Sequence, residues 1–142
     1  MIIAIDFDGT CVTHEFPAVG KDIGAVPVLK ELTEKGHKLI LFTMRSDISD
    51  PTGDDSGLHL EGGNYLSAAV NWFKENNIPL YGIQTNPTQH TWTTSPKAYA
   101  ELYIDDAALG CPLIQNKEYS DHPYVNWDVV HHILEWKGLL KY

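Results

Sequence analysis

The chain has 142 residues, of which 43% are apolar, and this suits one domain with a single core. Its formal net charge of −9 argues against binding to a nucleic-acid backbone, which requires a basic face. No apolar run approaches the roughly 18 residues of a membrane helix, and the N-terminus lacks the basic segment of a signal peptide. We therefore expect a single domain over residues 1–142, located in the cytoplasm, with no membrane or nucleic-acid partner.

The first half of the chain begins with a predicted strand from Ile2 to Phe7. Such apolar runs are typical of strands covered on both faces, as in a parallel sheet. An irregular segment, Gly9 to Gly24, follows. A helix is predicted from Ala25 to Lys35, because Pro27 suits its first turn and Gly36 is a good C-terminal stop.

A second strand is predicted from His37 to Thr43, and it is followed by a polar stretch from Arg45 to Gly63. A second helix, Asn64 to Asn76, leads to a short third strand, Leu80 to Thr85. Polar stretches as long as Arg45 to Gly63 are usually functional or mobile in a compact domain. Its aspartates are expected to form a solvated loop rather than a second metal site; they are Asp47, Asp50, Asp54 and Asp55.

The last third of the chain contains a threonine-rich loop from Asn86 to Pro96 and one predicted helical turn from Lys97 to Glu101. A fourth strand is predicted at Leu102 to Ile104 and a short fifth strand at Cys111 to Ile114. The final helix is predicted to begin after Asn126, a good N-cap residue, and to end near Leu139.

Strands that alternate with helices predict an α/β fold with a mainly parallel sheet. In such folds, sites lie at the carboxyl ends of the strands. The first strand ends in Asp6 and Asp8, the second ends in Thr43, and the fourth is followed by Asp105 and Asp106. These side chains are therefore expected at one edge of the sheet.

Four carboxylates at one point repel one another. A like-charge pair at about 4 Å costs roughly 1 kcal/mol in water and roughly 4 kcal/mol at an effective dielectric of 20. Oxygen ligands without His or Cys beside them suit Mg²⁺ rather than zinc. With the Thr43 hydroxyl and Lys97 added, the set predicts a phosphoryl-binding site in which a carboxylate attacks phosphorus.

These residues also resemble a known family, the haloacid dehalogenase-like (HAD) superfamily. The run from Asp6 to Thr10 (DFDGT) resembles its first motif, and Leu39 to Thr43 resembles its second. Pro96-Lys97 resembles the lysine motif, and Tyr103 to Asp106 resembles the acidic fourth motif. The four occur in the family's order. The resemblance implies a three-layer Rossmann-like core.

The resemblance also implies roles for individual residues. Asp6 would be the nucleophile, and Asp8 would exchange protons with the leaving group and with water. Thr43 and Lys97 would hold the phosphoryl oxygens. Mg²⁺ would be bound by Asp6, the Asp8 carbonyl and Asp105, the main acidic ligand of the pair, with Asp106 bound directly or through water. Gly9, Met44 and Arg45 are expected to contact the substrate.

The acid at Asp8 favours a phosphatase over a dehalogenase, because a halide leaves without a proton. The segment between Asp8 and the first predicted helix is too short for a cap domain, and so is the Arg45–Gly63 stretch, so a minimal or absent cap is expected. This argues against a phosphomutase. It leaves the choice of a small phosphorylated metabolite to loops or to a neighbouring subunit of a homo-oligomer.

Three alternatives stay open. The chain could be a phospho-acceptor signalling module similar to a receiver domain, although such modules phosphorylate an acid at the third strand, which here ends near Thr85 without one. It could be a HAD core that binds a phosphorylated ligand without catalysis. Arg45 could be a solvated loop arginine rather than a substrate contact.

Overall fold

A four-stranded parallel sheet flanked by helices forms the centre of the fold. The computed structural model describes residues 1–48 and 62–140 together with the backbone of residues 52–53 and 59–60. In chain order the elements are β1 (Ile2–Ile5), α1 (Ala25–Glu34), β2 (Lys38–Leu41), β3 (Asp47–Ile48), β4 (Thr52–Gly53), β5 (His59–Leu60), β6 (Gly63–Asn64), α2 (Tyr65–Glu75), β7 (Gly82–Ile83), β8 (Leu102–Ile104), β9 (Leu113–Ile114), β10 (Tyr124–Val125) and α3 (Trp127–Trp136).

The sheet has the order β7-β2-β1-β8, so β1 lies between two parallel neighbours. Ile5 at its end pairs with Leu41 on β2 and with Ile104 on β8. All three residues are buried, as expected for a strand covered on both faces. Because the three strands end at the same level, the residues that follow them share one edge of the sheet.

The three helices begin and end close to their predicted positions. Helix α1 buries one apolar face against the sheet, and the chain leaves it through Gly36 at φ 89°, a left-handed conformation that glycine adopts readily. The predicted N-cap at Asn126 is confirmed, because its side chain accepts the Val129 N–H. In the described part of the chain, no helix is both long and apolar enough to cross a membrane.

The helical turn predicted from Lys97 to Glu101 is wrong: this segment has no helical structure. Its backbone is held from outside instead. Gln89 donates to the carbonyls of Ser95 and Lys97 and accepts the Tyr99 N–H, and the Glu101 N–H donates to the Ile2 carbonyl. Gln89 itself lies in a short 3₁₀ helix, Gln89–Thr91, inside the predicted loop.

The predicted fifth strand is present at Leu113–Ile114, but it is not part of the main sheet. It pairs antiparallel with β10, a strand that the sequence did not predict. The polar stretch also contains strand pairs, because β3 pairs with β6 and β4 pairs with β5. Asp47 is exposed and accepts hydrogen bonds from the N–H and hydroxyl of Ser67. Asp50, Asp54 and Asp55 lie outside the described residues.

Candidate active site

An acid cluster lies at the carboxyl edge of the sheet. Asp6 directly follows β1, and Asp105 and Asp106 directly follow β8, its parallel neighbour. One carboxylate oxygen from each of the three residues lies within 4.8 Å of the others. The sheet register therefore brings together three of the four acids predicted from the sequence, in a geometry that offers oxygen ligands to one cation.

The Thr10 hydroxyl joins the two halves of the acid cluster. It accepts the Asp106 N–H at 3.0 Å and donates to the Asp6 carboxylate at 2.9 Å. The Asp106 carboxylate is also within 3.2 Å of this hydroxyl. Because Thr10 is fully buried, these contacts are shielded from water. The hydroxyl therefore braces the loop after β1.

Gly9 is needed for both the turn and the close approach of β8. Its φ of 81° lies in the left-handed region that favours glycine. A Cβ atom at this position would lie 2.4 Å from an oxygen of the Asp106 carboxylate. Any larger residue would therefore push the Asp106 carboxylate out of its place in the cluster. In this arrangement Gly9 shapes the acid cluster, whereas its predicted substrate contact stays a prediction.

The environment of Asp6 favours its protonated form. Burial raises the pKa of Asp6 from 3.8 to about 8, and the neighbouring Asp106 adds to the increase, while the Thr10 hydrogen bond acts against it. Burial also raises the pKa of the Cys11 thiol, whose sulfur donates to the Asp6 carbonyl. Cys11 is thus a packed thiol rather than a reactive one. At neutral pH, the carboxylate form of Asp6 needs a cation beside it.

Asp8 has a different partner, the buried side chain of Arg45. The Arg45 Nε–H donates to one Asp8 oxygen and an Nη2–H donates to the other, both at 2.8 Å. The exposed fraction of the side chain is 1% for Arg45 and 12% for Asp8. Arg45 is therefore not the solvated loop arginine that the sequence left open.

The remaining Arg45 donors bind backbone carbonyls. Nη1 donates to Pro17 at 3.3 Å and to Tyr65 at 3.1 Å, and Nη2 donates to Ala18 at 2.8 Å. A guanidinium has five N–H donors, so all five have a partner. A substrate contact through a free Arg45 N–H is not available in this arrangement.

Thr43 lies at the same edge of the sheet, just after β2. Its hydroxyl oxygen accepts the Arg45 N–H at 3.1 Å, so the hydroxyl proton is free to be donated elsewhere. Gln84 fixes this loop: its carbonyl oxygen accepts the Thr43 N–H at 2.9 Å, and its amide donates to the carbonyls of Thr43 and Arg45 at 2.6 and 3.2 Å. Met44, between them, is 97% exposed.

Gln84 is a residue that sequence reasoning missed. It occupies the left-handed region at φ 65°, which is unusual for a residue other than glycine. It follows β7, so its place beside Thr43 depends on the pairing of β7 with β2. A polar residue near the end of the predicted third strand, Leu80 to Thr85, was the available signal.

The structure does not bring Lys97 to the acid cluster. Lys97 is exposed, and its Nζ lies over the ring of Tyr103, 5.3 Å from the ring centroid. It is absent from the described residues that line the cleft above the acids. Its role in holding a phosphoryl group stays a prediction that requires its side chain to turn away from Tyr103.

The cleft above the acids has a volume of about 500 Å³. Two residues of its wall were not predicted: His14, whose ring packs against that of His122 at 5.1 Å between centroids, and Phe16, whose ring packs against Tyr65 at 5.3 Å. The cleft thus has an acidic floor and a partly aromatic wall. It is lined by Asp6, Asp8, His14, Phe16, Thr43, Met44, Arg45, Asp105, Asp106 and Ala107.

Helix α3 is tied to the same loop. Trp127, in its first turn, is buried, and its indole N–H donates to the Thr10 carbonyl at 2.7 Å. The neighbouring Val125 N–H donates to the Gly9 carbonyl at 2.9 Å. The turn after β1 is therefore held at Thr10 by the side chain of Trp127 and at Gly9 by the backbone of Val125.

The fold and the acid cluster define a mixed α/β protein with a carboxylate site at the carboxyl edge of a parallel sheet. No family model matches the chain, and no curated protein sequence matches it. The chain is similar to a solved structure described as a conserved protein from Bacteroides thetaiotaomicron, with 29% identity and a TM-score of 0.68. The similarity covers 96% of this chain and 91% of that chain.

Proposed function

We propose that this protein is a Mg²⁺-dependent phosphatase of the HAD type that hydrolyses a small phosphomonoester through an aspartyl-phosphate on Asp6. The observation that carries the proposal is the acid cluster. Asp6, Asp105 and Asp106 follow two neighbouring parallel strands, present oxygens within 4.8 Å of one another and open onto the cleft that also contains Asp8 and Thr43.

The chemistry of the acid cluster suits Mg²⁺. Three carboxylates with no His or Cys among them are hard oxygen donors, and the raised pKa of Asp6 reflects burial beside another acid. Asp6, Asp105 and Asp106 would hold the ion, together with the Asp8 carbonyl that the family resemblance implies. When bound, Mg²⁺ would offset the negative charge of the acids and of the phosphoryl oxygens.

The chain's own residues account for the bond changes. An oxygen of Asp6 attacks phosphorus, and the bond from phosphorus to the leaving oxygen breaks as that oxygen takes the proton of Asp8 in its carboxylic acid form, which leaves Asp8 as a carboxylate. Water then attacks phosphorus, Asp8 takes a proton from it, and the bond between Asp6 and phosphorus breaks. The Thr43 hydroxyl, whose oxygen accepts the Arg45 N–H, has a proton to donate and is suited to a phosphoryl oxygen in both steps.

We further propose a three-layer Rossmann-like core with a minimal cap or none. The short segment between Asp8 and α1 and the small strand pairs between Arg45 and Gly63 support this proposal. Closure of the cleft would then fall to these loops or to a second copy of the chain. The cytoplasmic location expected from the sequence stays a prediction.

A second candidate is a HAD core that binds a phosphorylated ligand without turning it over. Two observations favour it: both oxygens of Asp8 are engaged by Arg45, and Lys97 lies over Tyr103 rather than at the acids. The positions of Asp6 and Thr43 favour catalysis over this alternative.

The test is hydrolysis of 4-nitrophenyl phosphate with Mg²⁺ by the wild-type protein and by Asp6→Asn. We expect turnover by the wild type and a loss of at least about 1,000-fold in the variant, because the nucleophile is removed. Asp47→Asn is the matched control, since this exposed acid contacts Ser67 and is absent from the cleft lining; it should keep full activity.

Other outcomes identify the alternatives. Binding of inorganic phosphate without turnover by either protein would support the ligand-binding core. A phosphoryl group that stays on Asp6 for minutes and changes the binding of a partner would support the signalling module.

A further inference from the structure

We propose that Arg45 is a positioning residue that holds the Asp8 carboxylate in place for proton transfer. This inference rests on the proposed function. It assigns Arg45 to the protein's own general acid and base instead of to the substrate. The contacts of its guanidinium group carry the inference.

Arg45 holds Asp8 in a fixed orientation. Two parallel N–H···O bonds of 2.8 Å join the guanidinium to the two oxygens of the carboxylate, the geometry that fixes both position and plane. A carboxylate has about four lone-pair sites. The pair with Arg45 uses one site on each oxygen, so a remaining site can carry the proton that Asp8 gives to the leaving group and later takes back from water.

Arg45 is itself held rigidly. Its three remaining donors bind the carbonyls of Pro17, Ala18 and Tyr65, which belong to the segment before α1 and to the first residue of α2. Its guanidinium lies 5.1 Å from the ring centroids of both Phe7 and Phe16. The Arg45 guanidinium therefore has little freedom to move, and the Asp8 carboxylate bound to it is held in a fixed position as well.

The backbone that carries Arg45 is fixed as well. The Gln84 amide donates to the Arg45 carbonyl, and the Arg45 N–H donates to the Thr43 hydroxyl. A chain of contacts thus leads from the loop after β7, through Arg45, to the Asp8 carboxylate at the cleft. Lysine at position 45 would keep the positive charge but would lose the planar, two-point contact.

The dependence of the rate on the leaving group tests this inference. The 4-nitrophenolate leaving group needs little help from an acid, whereas the alkoxide of glycerol 2-phosphate must receive a proton. Removing the acid should therefore slow the hydrolysis of glycerol 2-phosphate more than that of 4-nitrophenyl phosphate. For Asp8→Asn we expect kcat/KM for glycerol 2-phosphate to fall about 100-fold more than for 4-nitrophenyl phosphate, within the range typical of acid–base catalysis.

Arg45→Lys should show the same selective loss, by at least about tenfold, because the carboxylate would no longer be aligned. The double variant Asp8→Asn/Arg45→Lys should be no worse than Asp8→Asn on glycerol 2-phosphate, since Arg45 acts through Asp8. Equal losses on both substrates, additive losses in the double variant, or a gain on glycerol 2-phosphate would overturn the inference. A gain would mean that Arg45 holds Asp8 away from the leaving group.

A second variant covers the case in which Arg45→Lys does not fold. Gln84→Ala leaves Arg45 in place but frees the loop that carries it, so the same selective loss is expected at a severalfold level. An equal loss on both substrates in this variant would overturn the inference. A wild-type protein that hydrolyses neither substrate would overturn the proposed function and this inference together, whereas activity without selectivity in the variants would overturn the inference alone.

Discussion

Asp6 and Asp8 are two residues apart, yet the structure places them in opposite electrostatic surroundings. Asp6 lies among other acids, and burial raises its pKa to about 8. Asp8 lies against a buried guanidinium that binds both of its oxygens. One short motif therefore supplies two different carboxylates. Asp6 needs a cation from outside the chain, whereas the cation beside Asp8 is a side chain of the protein itself.

The largest effect should come from removing the built-in cation. In Arg45→Met, the nearly buried Asp8 carboxyl group would lose its partner, and breaking a buried pair costs about 3–5 kcal/mol. Urea unfolding measures this as a loss in the free energy of unfolding. The matched control is Lys97→Met, which removes an exposed cation and should cost less than about 1 kcal/mol. Similar losses in the two variants would show that Asp8 does not depend on Arg45.

The external cation should have the next largest effect. Mg²⁺ at 100 times its dissociation constant should raise the free energy of unfolding by about 2.7 kcal/mol, because it binds the folded state alone. Asp105→Asn removes one of the three acids and should abolish most of this stabilisation. Asp47→Asn, an exposed acid outside the cluster, should retain it. An unchanged response in Asp105→Asn would contradict the assignment of the ion to the acid cluster.

The stability of the cation-free protein should depend on pH through Asp6. Because its pKa is raised from 3.8 to about 8, the folded state binds a proton that the unfolded state has released across this range. The free energy of unfolding therefore falls as the pH rises from 3.8 towards about 8. We expect a fall of more than about 1 kcal/mol, since one pKa unit corresponds to about 1.4 kcal/mol. Unfolding at several pH values in a chelator measures the slope, and Asp6→Asn should flatten it. A slope that persists in Asp6→Asn would assign the dependence to other groups.

The smallest predicted effect concerns the rim of the cleft. Within the described part of the chain, Arg45 is the one lysine or arginine that lines the cleft, and its donors are all engaged. Met44→Lys would add a cation at a fully exposed position. We expect kcat/KM for 4-carboxyphenyl phosphate to rise by up to about fivefold relative to phenyl phosphate, as for an exposed ion pair. Leu109→Lys, equally exposed but outside the cleft lining, is the control.

Much of the fold follows from local signals in the sequence. The apolar run of β1 and the N-cap Asn126 are read from neighbouring residues, and the structure confirms both. The segment 97–101 could not be predicted in this way, because its backbone is held by Gln89 and by β1. Its alanines and lysine suit a helix, but these tertiary contacts override that local preference.

The candidate site also contains residues that the sequence pattern predicts and contacts that it does not. The acids were predicted because strand ends share an edge in a parallel sheet, and the register of β1 with β8 places three of them together. The pairing of Arg45 with Asp8 was missed because it joins the end of β1 to the residues after β2, and no local pattern marks such a contact. The same holds for Gln84, whose role depends on the pairing of β7 with β2.

The hydrogen bond from Trp127 to the Thr10 carbonyl places a natural fluorophore against the loop that contacts the acid cluster. The indole touches the residue whose hydroxyl contacts both Asp6 and Asp106, so a change in that loop alters the surroundings of a fluorophore. The chain has four tryptophans. In a variant that keeps Trp127 as its single tryptophan, binding of a cation to the acid cluster should change the tryptophan emission, with no added label.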